Sequence, residues 1–168
     1  MSKLNLAGVA IGALITLWVG ACAKPQGAPP AADPGKIADT VKADVALAAA
    51  DFNAHDAVKL SSHDAPNVVG MVHGAPNVVG AADALINNQK NFDADPSQHV
   101  TIANETVDVA GSGEMAVYRS TYVLTATDPK SKKTVTENGN YLAEYKLQPD
   151  GSWKIAWSII SDSAPPSQ

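Results

Sequence analysis

Four long strand-like segments fill the second half of the chain, and they constrain its fold more than any other feature. Turn sequences separate the last three segments at Asp128-Pro129 and at Pro149-Asp150-Gly151. Turns this short favour antiparallel pairing of neighbouring strands in a meander. The segments are rich in Val, Thr, Tyr, Ile and Trp, and they span residues 99–109, 115–127, 133–147 and 152–161.

Helical patterns precede these strands. An apolar residue recurs at helical spacing from Ile37 to Phe52, which predicts an amphipathic helix over residues 36–54 with its start near Asp33-Pro34. Shorter helices are predicted over residues 56–62 and 81–92. Helices followed by a meander indicate an α+β domain, in which a curved antiparallel sheet wraps around the long N-terminal helix as a cone-shaped cup.

A six-residue sequence occurs twice between the second and third helices. Ala-Pro-Asn-Val-Val-Gly spans residues 65–70 and recurs over residues 75–80. A single recurrence with a period of ten is too little for a solenoid. The repeat instead predicts a hairpin that turns at His73-Gly74.

The N-terminus has the features of an export signal. Lys3 precedes an apolar run from Leu4 to Val19, and Val19-Gly20-Ala21-Cys22 then matches the lipobox of bacterial lipoproteins. The alternative is a transmembrane anchor with an incidental cysteine, but the short run and the small residues favour cleavage. We therefore expect a signal peptide over residues 1–21 and a lipid on Cys22. Ala23 in place of Asp is typical of sorting to the outer membrane, facing the periplasm.

The composition divides the mature chain and excludes several functions. Residues 22–35 are rich in Pro, Ala and Gly and are predicted to form a tether, followed by one domain over residues 36–162 and a flexible tail over residues 163–168. The mature chain carries a net charge of −6 and a single arginine, Arg119, which argues against a nucleic-acid partner. One cysteine excludes an intrachain disulfide and a CxxC zinc site.

The four histidines offer no recognised site. His55-Asp56 and His63-Asp64 repeat a pair, but no two histidines have HExxH spacing and no thiolate lies in the domain. We expect solvated loop histidines at His55, His63, His73 and His99. No metal and no cofactor is predicted.

Four short motifs stand at the ends of the predicted helices and on the last strands. Phe52-Asn53-Ala54-His55-Asp56 closes the first helix, and Gly80-Ala81-Ala82-Asp83-Ala84-Leu85 opens the third. The last two strands carry Gly139-Asn140-Tyr141-Leu142 and Asp150-Gly151-Ser152-Trp153-Lys154-Ile155. In this order the motifs resemble the nuclear transport factor 2-like superfamily, which includes ketosteroid isomerases and SnoaL-like polyketide cyclases. The resemblance covers roughly residues 36–162 and is closest to a bacterial branch of unknown function.

The resemblance does not extend to the isomerase chemistry. Ketosteroid isomerases use a tyrosine, an aspartate base and a second acid, which fall on Ala48, Val69 and Ala143 here. Proteins of the unknown-function branch often carry an acidic residue on the last strand, and the corresponding residue here is Ser158. A pocket without an acid–base pair, together with the predicted lipid on Cys22, indicates a non-catalytic small-molecule-binding cup tethered at the membrane. The alternative is an enzyme of the isomerase, cyclase or hydrolase type that uses Tyr141, Tyr145 or a histidine.

The same register assigns residues to the concave face. Arg119 there would need an anion, supplied by a ligand or by an internal pair with Glu105, Glu137 or Asp108. Tyr141 and Tyr145 would form walls for an aromatic ligand, or would be ordinary core residues. The predicted pocket residues, suited to a small anionic or aromatic ligand, are Arg119, Thr121, Tyr141, Tyr145 and Ser158.

The opposite face would be unusually apolar for an exposed surface, which predicts a homodimer contact. Its members are Tyr118, Tyr122, Leu142, Trp153, Ile155, Trp157 and Ile159, of which Tyr118, Tyr122, Trp153 and Trp157 are the predicted dimer face. The alternative is that the two faces are reversed and these residues form the core.

Overall fold

A computed structural model describes residues 33–163 of the chain. The predicted signal peptide, the lipidation site at Cys22, most of the tether and the tail beyond Ser163 lie outside the described residues. The described elements are α1 (Pro34–Asn53), α2 (Ala57–Ser62), β1 (Asp64–Val72), β2 (Val78–Val79), α3 (Ala81–Ala94), β3 (His99–Val109), β4 (Met115–Thr127), β5 (Thr134–Leu147) and β6 (Trp153–Asp162).

Helix α1 begins at an aspartate cap and buries one apolar stripe. The Asp33 carboxylate accepts hydrogen bonds from the backbone N–H groups of Gly35 at 3.0 Å and Lys36 at 3.3 Å. Pro34 occupies the first turn, where its missing N–H costs nothing. Val41 and Val45 are buried one turn apart. The long amphipathic helix predicted from the sequence is confirmed, and its cap places the start two residues earlier.

The sequence repeat forms the predicted hairpin. Val69 pairs with Val79 and Gly70 with Val78 in antiparallel register between β1 and β2. Gly74 in the connecting turn has a φ of +71°, a conformation that glycine adopts without strain. The prediction of a hairpin between the second and third helices is therefore confirmed.

The six strands form one curved sheet in the order β2-β1-β6-β5-β4-β3. Strands β3 to β6 form the predicted antiparallel meander. Strand β1 departs from it, because it pairs with β6 in parallel. The sheet is therefore mixed, with one parallel junction where the two halves of the chain meet.

The core lies between α1 and the concave face of the sheet. The buried core cluster consists of Val41, Val45, Val68, Ala116, Tyr118, Ala143, Tyr145 and Ile155.

Within residues 33–163, no helix is both long and apolar enough to cross a membrane.

Strand β4 turns the opposite face inward from the one predicted. Tyr118 is 0% exposed and Tyr122 7%, whereas Arg119 is an exposed residue. The register explains the reversal, since Tyr118 pairs with Ala143 and Arg119 with Leu142. Side chains alternate with a period of two, so an offset of one residue moves every side chain to the other face. The predicted concave placement of Arg119 and Thr121 was wrong, and so was the predicted outer placement of Tyr118 and Tyr122.

A β-bulge on β6 changes the face of half its residues. Glu144 pairs with Trp157, but the next residue, Tyr145, pairs with Ile155, so Ala156 is an extra residue on β6. Trp153 therefore packs against the core, whereas Trp157 remains on the convex face with its partner Glu144. The sequence-based prediction assumed that side chains alternate strictly along β6, which placed both tryptophans on the convex face. The extra residue of the bulge breaks that alternation. The placement of Trp153 on the dimer face was wrong.

The C-terminal boundary also differs from the prediction. The backbone N–H and the hydroxyl of Ser163 donate to the Asn138 carbonyl oxygen at 2.8 and 2.7 Å. The ordered domain therefore includes Ser163, which the composition had assigned to the tail.

Candidate functional site

A cup of about 380 Å³ opens between the helices and the concave face of the sheet. This volume lies in the range of small-molecule sites, and the walls are mainly apolar. Helix α1 supplies Ala48 and Phe52 to the wall, and α3 supplies a row of amides that includes Asn87 and Asn91. The principal apolar residues of the sheet wall are Val68, Val100, Ile102, Leu124, Ile155 and Ile160.

Asp64 lies on the wall of the cup and has no neutralising contact. It is the first residue of β1, and no hydrogen bond or salt bridge to its carboxylate occurs within residues 33–163. Burial raises the pKa of Asp64 to about 6, while the charge of His63 opposes the rise, Asp44 adds to it and Lys154 opposes it. An acid in this state is near half-protonation at pH 6 and can donate or accept a proton.

Two tyrosines and a serine lie near Asp64 on the cup wall. Burial raises the pKa of Tyr141; the carboxylate of Asp64 adds to the rise and the Ser158 hydroxyl opposes it. Burial also raises the pKa of Tyr145, and the neighbouring Tyr141 and Asp44 add to the rise. The Tyr145 hydroxyl lies near Asp44 but makes no hydrogen bond of ordinary geometry to a described residue. We name Asp64, Tyr141, Tyr145 and Ser158 the floor of the cup.

His63 lies behind Asp64 and is fixed by two carboxylates of α1. Its Nδ1 contacts Asp44 at 2.8 Å and its Nε2 contacts Asp51 at 3.1 Å. Asp44 and Asp51 are seven residues apart, so both project from one side of the helix. The hydrogen bond to Asp44 raises the pKa of His63, burial opposes the rise and the contact with Asp51 adds to it. The expectation of a solvated loop histidine was wrong for His63, which is only 7% exposed.

A second polar group lies at the edge of the cup. The Tyr122 hydroxyl donates to a carboxylate oxygen of Glu137, and the same oxygen contacts His73 Nε2 at 3.4 Å. His73 Nδ1 also pairs with Asp162 at 3.2 Å. Burial raises the pKa of Tyr122 and the Glu137 carboxylate adds to the effect. The phenol therefore keeps its proton and acts as a hydrogen-bond donor.

Gly139 makes room for the Tyr122 ring. A Cβ at this position would lie 2.6 Å from the Tyr122 Cε1 and Cζ atoms, and closer still to the Ser161 carbonyl oxygen. Real Cβ atoms do not approach other atoms so closely, so the ring would have to move. The absence of a side chain at Gly139 therefore allows Tyr122 to occupy this position, from which its hydroxyl donates to Glu137.

Comparison with known proteins identifies this architecture. No protein-family model matches the sequence, and no curated protein matches it. Solved structures do match, among them a nuclear transport factor 2-like superfamily protein from Salmonella enterica serovar Typhimurium LT2. Its TM-score is 0.70 at 13% identity, covering 80% of this chain and 96% of that one. The chain has the nuclear transport factor 2-like fold.

Two further matches illustrate how widely this fold is used. A ketosteroid isomerase-like protein from Erwinia carotovora atroseptica SCRI1043 matches with a TM-score of 0.65 and 20% identity, covering 76% of this chain and 96% of that one. A type 2 hexachlorocyclohexane dehydrochlorinase matches with a TM-score of 0.68 and 13% identity, over 77% and 94% of the two chains. Identities this low show the shared fold and carry no activity across.

Within the nuclear transport factor 2-like fold, two of the predicted pocket residues lie outside the cup. Arg119 is exposed on the convex face, where its Nη2 donates to Asp108 Oδ2 at 2.8 Å. This is one of the internal pairs weighed as the alternative. The Thr121 hydroxyl accepts from Asn104 at 2.9 Å on the same face. Tyr141, Tyr145 and Ser158 do line the cup, and their binding of a ligand stays a prediction.

The positions aligned with the isomerase residues do not place an acid in the cup. Ala48 lies on the wall of the cup, and Ala143 is fully buried in the core. Val69 pairs with Trp157, which lies on the convex face. The carboxylates that do line the cup are Asp64 and Glu137. Sequence reasoning considered Glu137 only as a possible partner of Arg119, and it missed Asp64 as an acid of the cup. An acid at the start of an apolar strand was a usable signal for Asp64.

A metal centre is not formed by the described part of the chain. No three His, Cys, Asp or Glu side chains within residues 33–163 come together in a way that could hold an ion. The two histidines of the cup are instead paired with carboxylates, His63 with Asp44 and Asp51 and His73 with Glu137 and Asp162.

Proposed function

We propose that this protein is a lipid-anchored binding protein outside the cytoplasm, whose cup holds a small organic molecule. The observation that carries the proposal is the cup, with apolar walls and a floor that includes unpartnered polar groups. Unsatisfied polar groups next to an apolar wall are costly, and a ligand that supplies their partners would remove that cost. Within its superfamily we place the chain in the SnoaL-like and ketosteroid isomerase-like group.

The membrane anchor is the second part of the proposal. Val19-Gly20-Ala21-Cys22 provides the lipidation sequence, and Ala23 favours the outer membrane, facing the periplasm. Cys22 precedes the Asp33 cap of α1 by eleven residues. Even a fully extended segment of that length spans only about 40 Å. A lipid on Cys22 would thus hold the cup close to the membrane surface.

We further propose a homodimer through the convex face. Trp157 lies there, with its indole N–H donating to Glu144 Oε2 at 2.6 Å. Its neighbours on that face include Leu142, Val123 at 39% exposure and Ile159 at 38%. Adjoining apolar side chains of this kind are typical of a contact surface.

The binding proposal is tested by native mass spectrometry of the mature protein, released from the membrane in mild detergent. A retained small molecule at one copy per chain is the expected result. Ala48→Phe would place a ring in the cup and should abolish retention, whereas Ala46→Phe on the exposed side of α1 should not. Retention that is equal in both variants would contradict binding in the cup.

An acid–base enzyme is the second candidate, and the cluster of Tyr122, Glu137 and His73 favours it. A carboxylate within hydrogen-bond reach of a tyrosine inside the cup is what such chemistry requires. The dehydrochlorinase among the structural matches is an enzyme on the same fold. Incubation of the protein with its retained molecule in D₂O separates the two candidates. Deuterium at a carbon, or a product of different mass, that is absent with Glu137→Gln indicates an enzyme; an unchanged molecule indicates a binding protein.

A further inference from the structure

The charges of the cup wall are unbalanced in one direction. Among the described residues, no lysine or arginine lines the cup, whereas two carboxylates, Asp64 and Glu137, do. The imidazoles of His63 and His73 also line it, and each contacts two carboxylates other than Asp64. Glu137 already accepts a hydrogen bond from Tyr122 and contacts His73. Asp64 has neither a hydrogen bond nor a salt bridge within residues 33–163, so its acceptor sites stay open toward the cup.

The groups packed around Asp64 do not neutralise it. His63 belongs to the same segment, but both its ring nitrogens are occupied by Asp44 and Asp51 of α1. Lys154 on β6 influences Asp64 at a distance, because its ammonium donates to the Ser62 carbonyl oxygen at 2.5 Å. Tyr141 faces Asp64 from β5, and Asp44 adds a second negative charge.

We propose that the cup selects an apolar ligand that carries a protonated amine, and that the ammonium group binds the Asp64 carboxylate. This inference rests on the proposed binding function and specifies its ligand class. An ammonium supplies the charge and the N–H donors that Asp64 lacks, and a charge-assisted hydrogen bond is strongest where water is excluded. The apolar body of the ligand would contact the walls formed by α1 and the sheet.

The floor offers further contacts suited to an ammonium. Tyr141 lies close enough to Asp64 to feel its charge, so the Tyr141 hydroxyl oxygen can accept a second N–H of the same ammonium. Tyr145 has a buried hydroxyl without a partner in the described part of the chain. A carboxylate ligand would meet the opposite environment, because Asp64 and Glu137 would repel it and Arg119 lies on the other face of the sheet.

The affinity for an amine should depend on pH, because a proton and the ammonium group of the ligand compete for the Asp64 carboxylate. Burial places the pKa of free Asp64 at about 6, and an aliphatic amine keeps its proton well above pH 8. The amine binds the ionised carboxylate, so protonation of Asp64 opposes binding. Affinity should fall about tenfold per pH unit well below pH 6. Above about pH 7 Asp64 is fully ionised, and the only further change expected is a small gain in affinity as His63 loses its charge.

The experiment uses the mature lipoprotein in detergent and a panel of aromatic and alicyclic bodies, each supplied with an aminomethyl, a hydroxymethyl or a carboxylate group, so that every amine is aliphatic and protonated. Calorimetry is expected to show amines binding at least about tenfold more tightly than the matched alcohols, with carboxylates weakest. Asp64→Asn should weaken amine binding about ten- to hundredfold and leave alcohol binding unchanged. Asp108→Asn is the matched control, since it removes the same charge from the convex face.

The outcomes separate this inference from the binding proposal itself. Alcohols or carboxylates that bind as well as the amines would overturn the amine inference and leave the binding cup in place. Absence of binding by any member of the panel would overturn both. The pH profile of the wild type is an independent check, because amine affinity that stays constant down to pH 4.5 contradicts the role of Asp64 even if Asp64→Asn does not fold.

Discussion

His63 lies between Asp44 and Asp51, and each of its ring nitrogens contacts one of the two carboxylates, at 2.8 and 3.1 Å. The contact joins the end of α2 to the side of α1, close to the floor of the cup. The sequence contains two His-Asp pairs, His55-Asp56 and His63-Asp64, but only His63 contacts two carboxylates. His55 instead contacts the Gln98 carbonyl oxygen at 2.9 Å.

Removal of the His63 ring is expected to destabilise the fold. His63→Ala leaves two partly buried carboxylates facing a cavity without a donor, which should lower the free energy of unfolding by about 2–4 kcal/mol. Urea denaturation followed by circular dichroism measures the change. His73→Ala is the control, because His73 is about 38% exposed and should cost less than about 1 kcal/mol. Equal losses in the two variants would contradict a special role for His63.

The contribution of His63 should depend on pH in a defined direction. The hydrogen bond to Asp44, opposed by burial and supported by Asp51, raises the pKa of His63 above its ordinary 6.5. A raised pKa gives stability that is complete below the ordinary value and is lost as the pH rises through the folded-state value. The difference in unfolding free energy between wild type and His63→Gln should therefore shrink as the pH is raised over the range above 6.5. A difference that stays constant across this range would count against the charged ring.

Gly139→Ala should displace Tyr122. The added Cβ would overlap the Tyr122 ring and the Ser161 carbonyl, so we expect a loss of about 1–3 kcal/mol in unfolding free energy. Gly111→Ala is a matched control, since no atom lies within 4 Å of the Cβ that it would add. Chemical denaturation of both variants gives the comparison, and a neutral Gly139→Ala would show that the ring is free to move.

Lipidation is predicted to depend on a single thiol. Cys22→Ala should abolish labelling by a fatty-acid probe and leave an uncleaved precursor in the membrane fraction. The chain has no other cysteine, so no neighbouring thiol can replace it. Metabolic labelling and the mass of the product test this expectation, and labelled protein in the variant would refute the lipoprotein assignment.

The convex face is predicted to hold two subunits together. Trp157→Lys should give a folded monomer, because a charge at the centre of an apolar contact would remain unpaired. Asn140→Lys adds the same charge to an exposed residue of β5 whose neighbours across the sheet are the polar Thr121 and Ser161, and it should have a smaller effect. Analytical ultracentrifugation reports the state of association. A wild type that sediments as a monomer would rule out the dimer.

The sequence by itself determined the elements and their order. Apolar spacing located α1, Asp33 supplied its cap, and the repeated Ala-Pro-Asn-Val-Val-Gly produced the β1–β2 hairpin. These features are local, because a helix, a cap or a tight turn depends on residues within a few positions of one another. The motifs that indicated the nuclear transport factor 2-like fold are local in the same sense, since each is a short run of residues at the end of a helix or on a strand.

Tertiary structure decided which face of each strand forms the cup. Alternation divides a strand into two faces but does not say which one meets the helix, and on β4 both faces carry residues that could have been buried. The packing of α1 turned Tyr118 inward and left Arg119 to pair with Asp108 in solvent. The bulge at Ala156 then separated Trp153 from Trp157, and a bulge is visible only once two strands are in register. The role of Asp64 was also decided by the tertiary structure. Its burial on the wall of the cup and the absence of a hydrogen-bond partner among the described residues are properties of the assembled fold, which the sequence does not show.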